Sequence, residues 1–112
     1  MAIIVTTGNA NTIVSSIKAF IDDGTIDTWE YDEDGDFTHT PNQWRQKAWF
    51  RARIEDGKIT FHILTPTKTT MSRTTYAIYH GRFIEMLLTH FDEKFSRAVA
   101  TALPVHGDNV RG

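Results

Sequence analysis

The residues best suited to chemistry in this 112-residue chain are cations interleaved with aromatic rings between positions 44 and 62. Arginine and lysine neutralise phosphate or carboxylate groups, and an aromatic ring offers a surface on which a nucleic-acid base can stack. Tryptophan and arginine are also enriched at protein–protein interfaces. The sequence therefore predicts a candidate surface made of Trp44, Arg45, Lys47, Trp49, Arg51, Arg53, Lys58 and His62.

The alternation of residue types in the stretch 47–64 predicts how these cations are positioned. Two alternating runs are joined by Asp56-Gly57, a pair that tolerates the positive φ of a tight hairpin turn. Successive side chains in a strand point to opposite sides of a sheet, so each run divides into two sets. The apolar set is Ala48, Phe50, Ala52, Ile54, Ile59, Phe61 and Ile63, and the other is Lys47, Trp49, Arg51, Arg53, Lys58, Thr60, His62 and Leu64. We expect an antiparallel hairpin with a dry inner face and a cationic outer face.

An acidic segment has the alternating oxygen ligands with which a calcium-binding loop begins. Its residues are Glu30, Asp32, Asp34 and Gly35. The twelfth position of such a loop carries a bidentate glutamate that closes the cage around the ion. Here that position is Pro41, so the sequence predicts an acidic hairpin turn and no metal site.

The histidines near the C-terminus form two further patterns that could ligate a metal. His80, Glu85 and His90 are five residues apart, whereas ligands on one helix need a spacing of three or four; five residues turn the helix by about 140° from alignment. His90, Asp92 and His106 have the composition of a two-histidine, one-carboxylate iron site, but His106 falls in an expected tail. We therefore expect no bound metal.

No motif in the sequence supports a catalytic site. There is no G-x-S-x-G nucleophile elbow, and neither G-x-G-x-x-G nor G-x-x-x-x-G-K is present to hold a phosphate. Carboxylates that meet only in the folded chain stay open as a catalytic pair. We assign no catalytic or cofactor-binding residues and expect no cofactor; a small enzyme with a His/Glu site around His80, Glu85 and His90 stays an alternative.

The N-terminal half is predicted to contain a strand, a helix and a second hairpin. Ala2 to Thr6 is expected as an edge strand or as an arm against the core. A helix is predicted from an N-cap at Asn11 or Thr12, because apolar residues recur at helical spacing, and Gly24 is expected to end it. Residues 26–31 and 37–40 alternate around the acidic turn and predict the second hairpin.

The C-terminal half is less regular. After an irregular connection at 65–73, we predict a strand from Thr74 to Tyr79 and a helix from Arg82 to Asp92. One long helix is less favoured because Gly81 inside it costs about 1 kcal/mol and because the preceding residues are strand formers. Residues 95–103 fit either a helical extension or a final strand, and residues 105–112 are expected to be a flexible tail.

The composition is that of one globular domain spanning residues 1–112. The chain has 40% hydrophobic and 23% charged residues and a net charge of −2, so no global charge favours nucleic acid or anionic lipid. It has no cysteine and no stretch near the ~20 apolar residues of a membrane span, and we expect a cytoplasmic protein without a membrane partner. The element order predicts an α+β fold: an antiparallel sheet of about four to five strands with two helices packed on one face.

That fold leaves the opposite face of the sheet, with its cations, open to a partner. We therefore expect a small, soluble, non-enzymatic domain that binds another protein through this face, including a second copy of itself as a homodimer. Binding of single-stranded nucleic acid or of an anionic ligand at the same cationic–aromatic face is the alternative, weakened by the negative net charge.

Overall fold

The computed structural model describes residues 2–67 and 69–109, which form an α+β fold with two helices on one face of an antiparallel sheet. The sheet has six strands in the order β2-β3-β4-β5-β1-β6, one or two more than predicted. Along the chain the elements are β1 (Ala2–Thr6), α1 (Ala10–Asp22), β2 (Trp29–Tyr31), β3 (Phe37–His39), β4 (Trp49–Glu55), β5 (Lys58–Leu64), α2 (Arg73–Phe91) and β6 (Arg97–Ala100).

The central hairpin is β4 and β5, which pair antiparallel around Asp56-Gly57 as predicted. Glu55 pairs with Lys58 across the turn, and Ala52 pairs with Phe61. Gly57 has φ +74°, a left-handed conformation that glycine adopts easily because it has no Cβ atom. Phe50 and Phe61 are fully buried and Arg51 is exposed, as predicted, whereas Ile54 of the apolar set is 43% exposed and Thr60 and His62 of the other set are buried.

The core lies between this dry side and the helices, and aromatic rings dominate it. The Phe83 ring from α2 lies 4.7 Å from Phe61 and 4.9 Å from Phe50, measured between centroids. Trp29 from β2 meets Phe83 edge-on at 4.9 Å. Edge-to-face and tilted aromatic pairs stabilise a core beyond the burial of their area, so α2 is held firmly across the middle of the sheet.

Helix α1 begins at Ala10, before the predicted N-cap at Asn11 or Thr12. The N-cap is Asn9, whose side chain donates to the Lys94 carbonyl instead of bonding the first turn of the helix. That bond to a distant segment has no signal in the local sequence. At the other end the prediction is confirmed, because Gly24 follows the C-cap residue Asp23 with φ +83°.

The prediction of a strand at Thr74 to Tyr79 is wrong, since these residues belong to the single helix α2. Ser72 caps the helix by accepting a hydrogen bond from the Thr75 backbone N–H at 3.0 Å. Gly81 is exposed and leaves no gap in the core, so only its modest helix propensity opposes the single helix. Burial of Tyr76, Tyr79 and Phe83 along one side outweighs that penalty.

The pairing of the last strand, β6, shows that the predicted position of β1 is wrong. Residues 97–100 form a strand that pairs with β1, with Val99 opposite Ile4. On its other side β1 pairs with β5, with Ile3 opposite Phe61. β1 is therefore an internal strand and neither an edge strand nor an arm, and β2 and β6 are the edges.

Part of the predicted tail, residues 105–109, lies against β5, while residues 110–112 are outside the described part of the chain. The Asn109 N–H donates to the Ile63 carbonyl at 2.9 Å, and the Thr65 N–H donates to the Asn109 carbonyl at 2.6 Å. In residues 2–67 and 69–109, no helix combines the length and apolar character needed to cross a membrane.

Candidate binding surface

The outer face of the sheet, the side away from the helices, carries five of the predicted surface residues on the central hairpin: His62 is buried, and the other four are at least partly exposed. These four are Trp49, Arg51, Arg53 and Lys58. The side chains of Arg51 and Arg53 are 55% and 63% exposed, and that of Lys58 is 44% exposed. Trp49 is partly buried, so the exposed chemistry of this strip is mainly cationic.

Each of these three cations is already paired with a carboxylate. Arg51 makes a bidentate contact with Asp36, at 3.0 Å from Nε to Oδ1 and 2.7 Å from Nη2 to Oδ2. This hydrogen bonding raises the pKa of Arg51, so the guanidinium stays charged. Glu55 lies 3.3 Å from Arg53 Nε and 3.4 Å from Lys58 Nζ. The strip is therefore a mixture of compensated charges.

A cavity of about 420 Å³ opens beside Trp49 and Arg51 at one end of the hairpin. Asp36 lies on one side of it, and residues 64–67 and Asn109 on the other. The Trp49 indole Nε1 is buried and has no hydrogen-bond partner among the described residues. The outer face therefore has a recess with an aromatic wall and a guanidinium at its edge.

His62 belongs to the same face but is buried under the C-terminal segment. Its Nδ1 lies 3.1 Å from Asp108 Oδ1, and both side chains are at most 9% exposed. Gly107 lies so close that an added Cβ atom would be 2.6 Å from His62 Cε1. Within the described residues, His62 is thus a contact point for the chain's own end and is covered from outside partners.

The remaining three predicted residues lie in the loop before β4. Trp44 packs against the hydrophobic core, and its carbonyl accepts a hydrogen bond from the Tyr79 hydroxyl. Arg45 pairs with Glu30 at 2.9 Å, and Lys47 is exposed. The structure therefore brings together only part of the predicted set, on β4 and β5.

Sequence reasoning missed an apolar pair on the same face. Ile4 and Val99 are directly opposite each other on β1 and β6, pointing away from the helices because their neighbours Ile3 and Ala98 pack against the core. Val99 is 48% exposed. The short run from Arg97 to Ala100 could have indicated this surface only if it had been recognised as a strand.

The candidate metal ligands do not come together around α2. His80 is buried beside Phe50 and Tyr76, Glu85 is exposed, and His90 packs near Phe20 on the side of α1. Their divergence follows from the five-residue spacing on a helix. Among the described residues, the one group of three or more potential ligands is Asp32, Asp34 and Asp36 in the acidic turn. Asp36 is committed to Arg51.

The chain matches no protein-family model, no curated protein and no solved structure in the three comparisons made. The geometry of the outer face is therefore the basis on which we infer a function.

Proposed function

We propose that this chain is a small non-enzymatic domain that binds another protein through the outer face of its sheet. The observation that carries this proposal is the pairing of Arg51, Arg53 and Lys58 with carboxylates. Nucleic acid binds a protein more tightly when free cations of the protein neutralise its phosphates, because the counterions of those phosphates are then released into solution. Cations held by carboxylates contribute less of that gain, whereas a protein surface with both signs of charge complements such a mixture.

The apolar and aromatic parts of the face support the same partner class. Val99 provides exposed apolar area beside the partly buried Ile4, and the cavity beside Trp49 has the size and lining to take a side chain from a partner. A buried apolar centre within a rim of charges is the usual arrangement of protein interfaces. The absence of cysteine from the sequence suits a reducing compartment, and we place the protein in the cytoplasm as part of this proposal.

The proposal is tested with a double variant on the outer face, Arg53→Glu with Val99→Glu. A matched control is Arg73→Glu with Leu88→Glu, an exposed arginine and an exposed apolar residue on α2. Light scattering over about a tenfold concentration range measures self-association, and quantitative capture from the native cell measures other partners. We expect the outer-face variant to lose the partner, or the dimer, that the wild type and the control retain.

Equal binding by both variants would show that the outer face is not the contact. The nucleic-acid alternative is separated by a gel shift with a single-stranded oligonucleotide at two ionic strengths. Tight binding at low salt that falls steeply at high salt, and is lost in Arg53→Glu, would favour nucleic acid over a protein partner.

A further inference from the structure

A second cavity lies on the other side of the molecule, between α2, the end of β3 and the loop at 41–44. Its volume is about 230 Å³. His39 and Trp44 contribute to its wall, and Arg82 and Glu85 contribute charged groups from α2. None of these four residues belongs to β4 or β5, so this cavity shares no residue with the hairpin part of the outer face.

The hydrogen bonding of His39 determines which ring atom can serve a ligand. Nδ1 lies 2.7 Å from the Thr28 carbonyl oxygen, and a carbonyl only accepts, so Nδ1 carries the proton and donates it. Nε2 then holds a lone pair when the ring is neutral. Burial lowers the pKa of His39 below its usual 6.5, which keeps the ring neutral at pH 7.

The Nε2 atom has no partner within the described part of the chain, although His39 is only 5% exposed. Unlike Trp49 Nε1, it is not one of the unpaired atoms that are sealed from solvent. The Trp29 ring lies tilted against the His39 ring at 4.6 Å between centroids, and the Tyr79 ring approaches it edge-on at 6.1 Å. His39 lines the cavity, so this buried ring brings one unpaired hydrogen-bond acceptor to the cavity wall.

The charges near this acceptor are one of each sign. Arg82 Nη1 lies 3.2 Å from Glu85 Oε2, and the two side chains are 53% and 64% exposed. A simple anion is attracted by Arg82 and repelled by Glu85, and a simple cation meets the reverse. A small molecule with both charges matches the pair, and its ammonium supplies the donor that Nε2 lacks.

We propose that this cavity binds a small zwitterion of the α-amino-acid class. The ammonium group donates to His39 Nε2 and to Glu85, the carboxylate accepts from Arg82, and the side chain of the ligand lies against Trp44. The site does not depend on the outer face, and either proposal can fail without affecting the other.

The test uses nuclear magnetic resonance of the full chain with glycine, L-alanine and L-serine as probes. Addition of a probe should shift the His39 Nε2 nitrogen resonance, with a Kd on the order of 1 mM, which is reasonable for a ligand of so few atoms. Propionate lacks the ammonium group and ethylamine lacks the carboxylate. Each should bind at least about tenfold more weakly than L-alanine, a difference that one lost charged contact readily produces.

Variants identify the side chains involved. Arg82→Gln and Glu85→Gln change exposed groups and should keep the fold while weakening binding by about tenfold each. Arg73→Gln and Glu93→Gln are matched controls at exposed positions away from the cavity and should bind as the wild type does. His39→Phe should abolish binding, and if it fails to fold, the two α2 variants still decide the question. No shift up to about 20 mM of all three probes, or equal binding by Arg82→Gln, overturns the proposal.

Discussion

The two faces of the sheet are built from the same strands and differ in the burial and the charge of their side chains. On the helix face, Phe37, Phe50 and Phe61 surround Phe83, and all four are fully buried. On the outer face, neighbours one residue away are exposed and charged, as Arg51 is beside Phe50. The difference shows that the fold depends mainly on one face, while the other can present compensated charges and an apolar pair without endangering the core.

The outer face is nevertheless not uniformly exposed. At the end of β5 the segment 105–109 covers His62, and Asp108 accepts hydrogen bonds from two backbone N–H groups, those of Ile63 and Val105. Exposure therefore increases in three steps. The aromatic core is fully buried, the patch around His62 is covered by residues 105–109, and the strip with Arg51 and Arg53 is exposed.

Truncation of a core ring should have the largest effect. Phe61→Ala removes a fully buried side chain packed on Phe83, and we expect a loss of about 3–5 kcal/mol in the free energy of unfolding. The control is Thr60→Ala, the next residue on the same strand but on the outer face, with an expected loss of about 1 kcal/mol. Urea unfolding measures both, and similar losses would contradict the assignment of the core to one face.

An added side chain at Gly107 should destabilise the patch where residues 105–109 cover His62. Gly107→Ala places a methyl group against the His62 ring at a residue with φ +103°, and we expect a loss of about 2–3 kcal/mol. Gly57→Ala isolates the backbone part, because Gly57 has φ +74° and open space around it; its loss should be about 1 kcal/mol. The clash with His62 is tested by adding His62→Ala to Gly107→Ala. If the double variant still loses more stability than Gly57→Ala, relative to His62→Ala alone, the clash is not the cause of the larger loss.

Two neighbouring arginines test the exposed strip. Arg51→Ala leaves the Asp36 carboxylate, whose side chain is 6% exposed, without its partner, and we expect a loss of about 1–3 kcal/mol. Arg53→Ala removes an exposed pair with Glu55 and should change stability by less than about 0.5 kcal/mol. Chemical unfolding of the two variants compares them directly; an equal loss would mean that burial of Asp36 does not matter.

The smallest effect is a pH dependence from His39. The pKa of His39 is lowered in the folded chain, mainly by burial, whereas in the unfolded chain it returns to its usual 6.5. The unfolded chain therefore binds more protons once the pH falls below about 6.5. The stability is retained above pH 6.5 and declines as the pH falls toward the folded pKa. Arg82 and Glu85 face the ring and act in opposite directions. Thermal unfolding from pH 8 downward should show a shallower decline for His39→Gln than for the wild type. Parallel curves would rule out this contribution.

Local patterns predicted much of the fold. Alternation placed Phe50 and Phe61 inside and Arg51 outside, because strand geometry dictates the side of each residue once the strand is recognised. The same logic failed at Thr74 to Tyr79, where strand propensity is weaker than the burial of Tyr76 and Tyr79 on a helix. The candidate surface was predicted only in part, since the burial of His62 depends on Asp108, 46 residues away, and the position of Val99 depends on its pairing with Ile4 at the other end of the sequence.

The placement of β1 between β5 and β6 has a consequence for how the chain reaches its native state. The strand that contains Ile3 must wait for Phe61 and then for Ala100, its partners in the finished sheet. Such distant pairings slow folding, because a long loop closes before its contacts are gained. During synthesis β1 stays without either neighbour until β5 has emerged, and its second neighbour, β6, emerges later still.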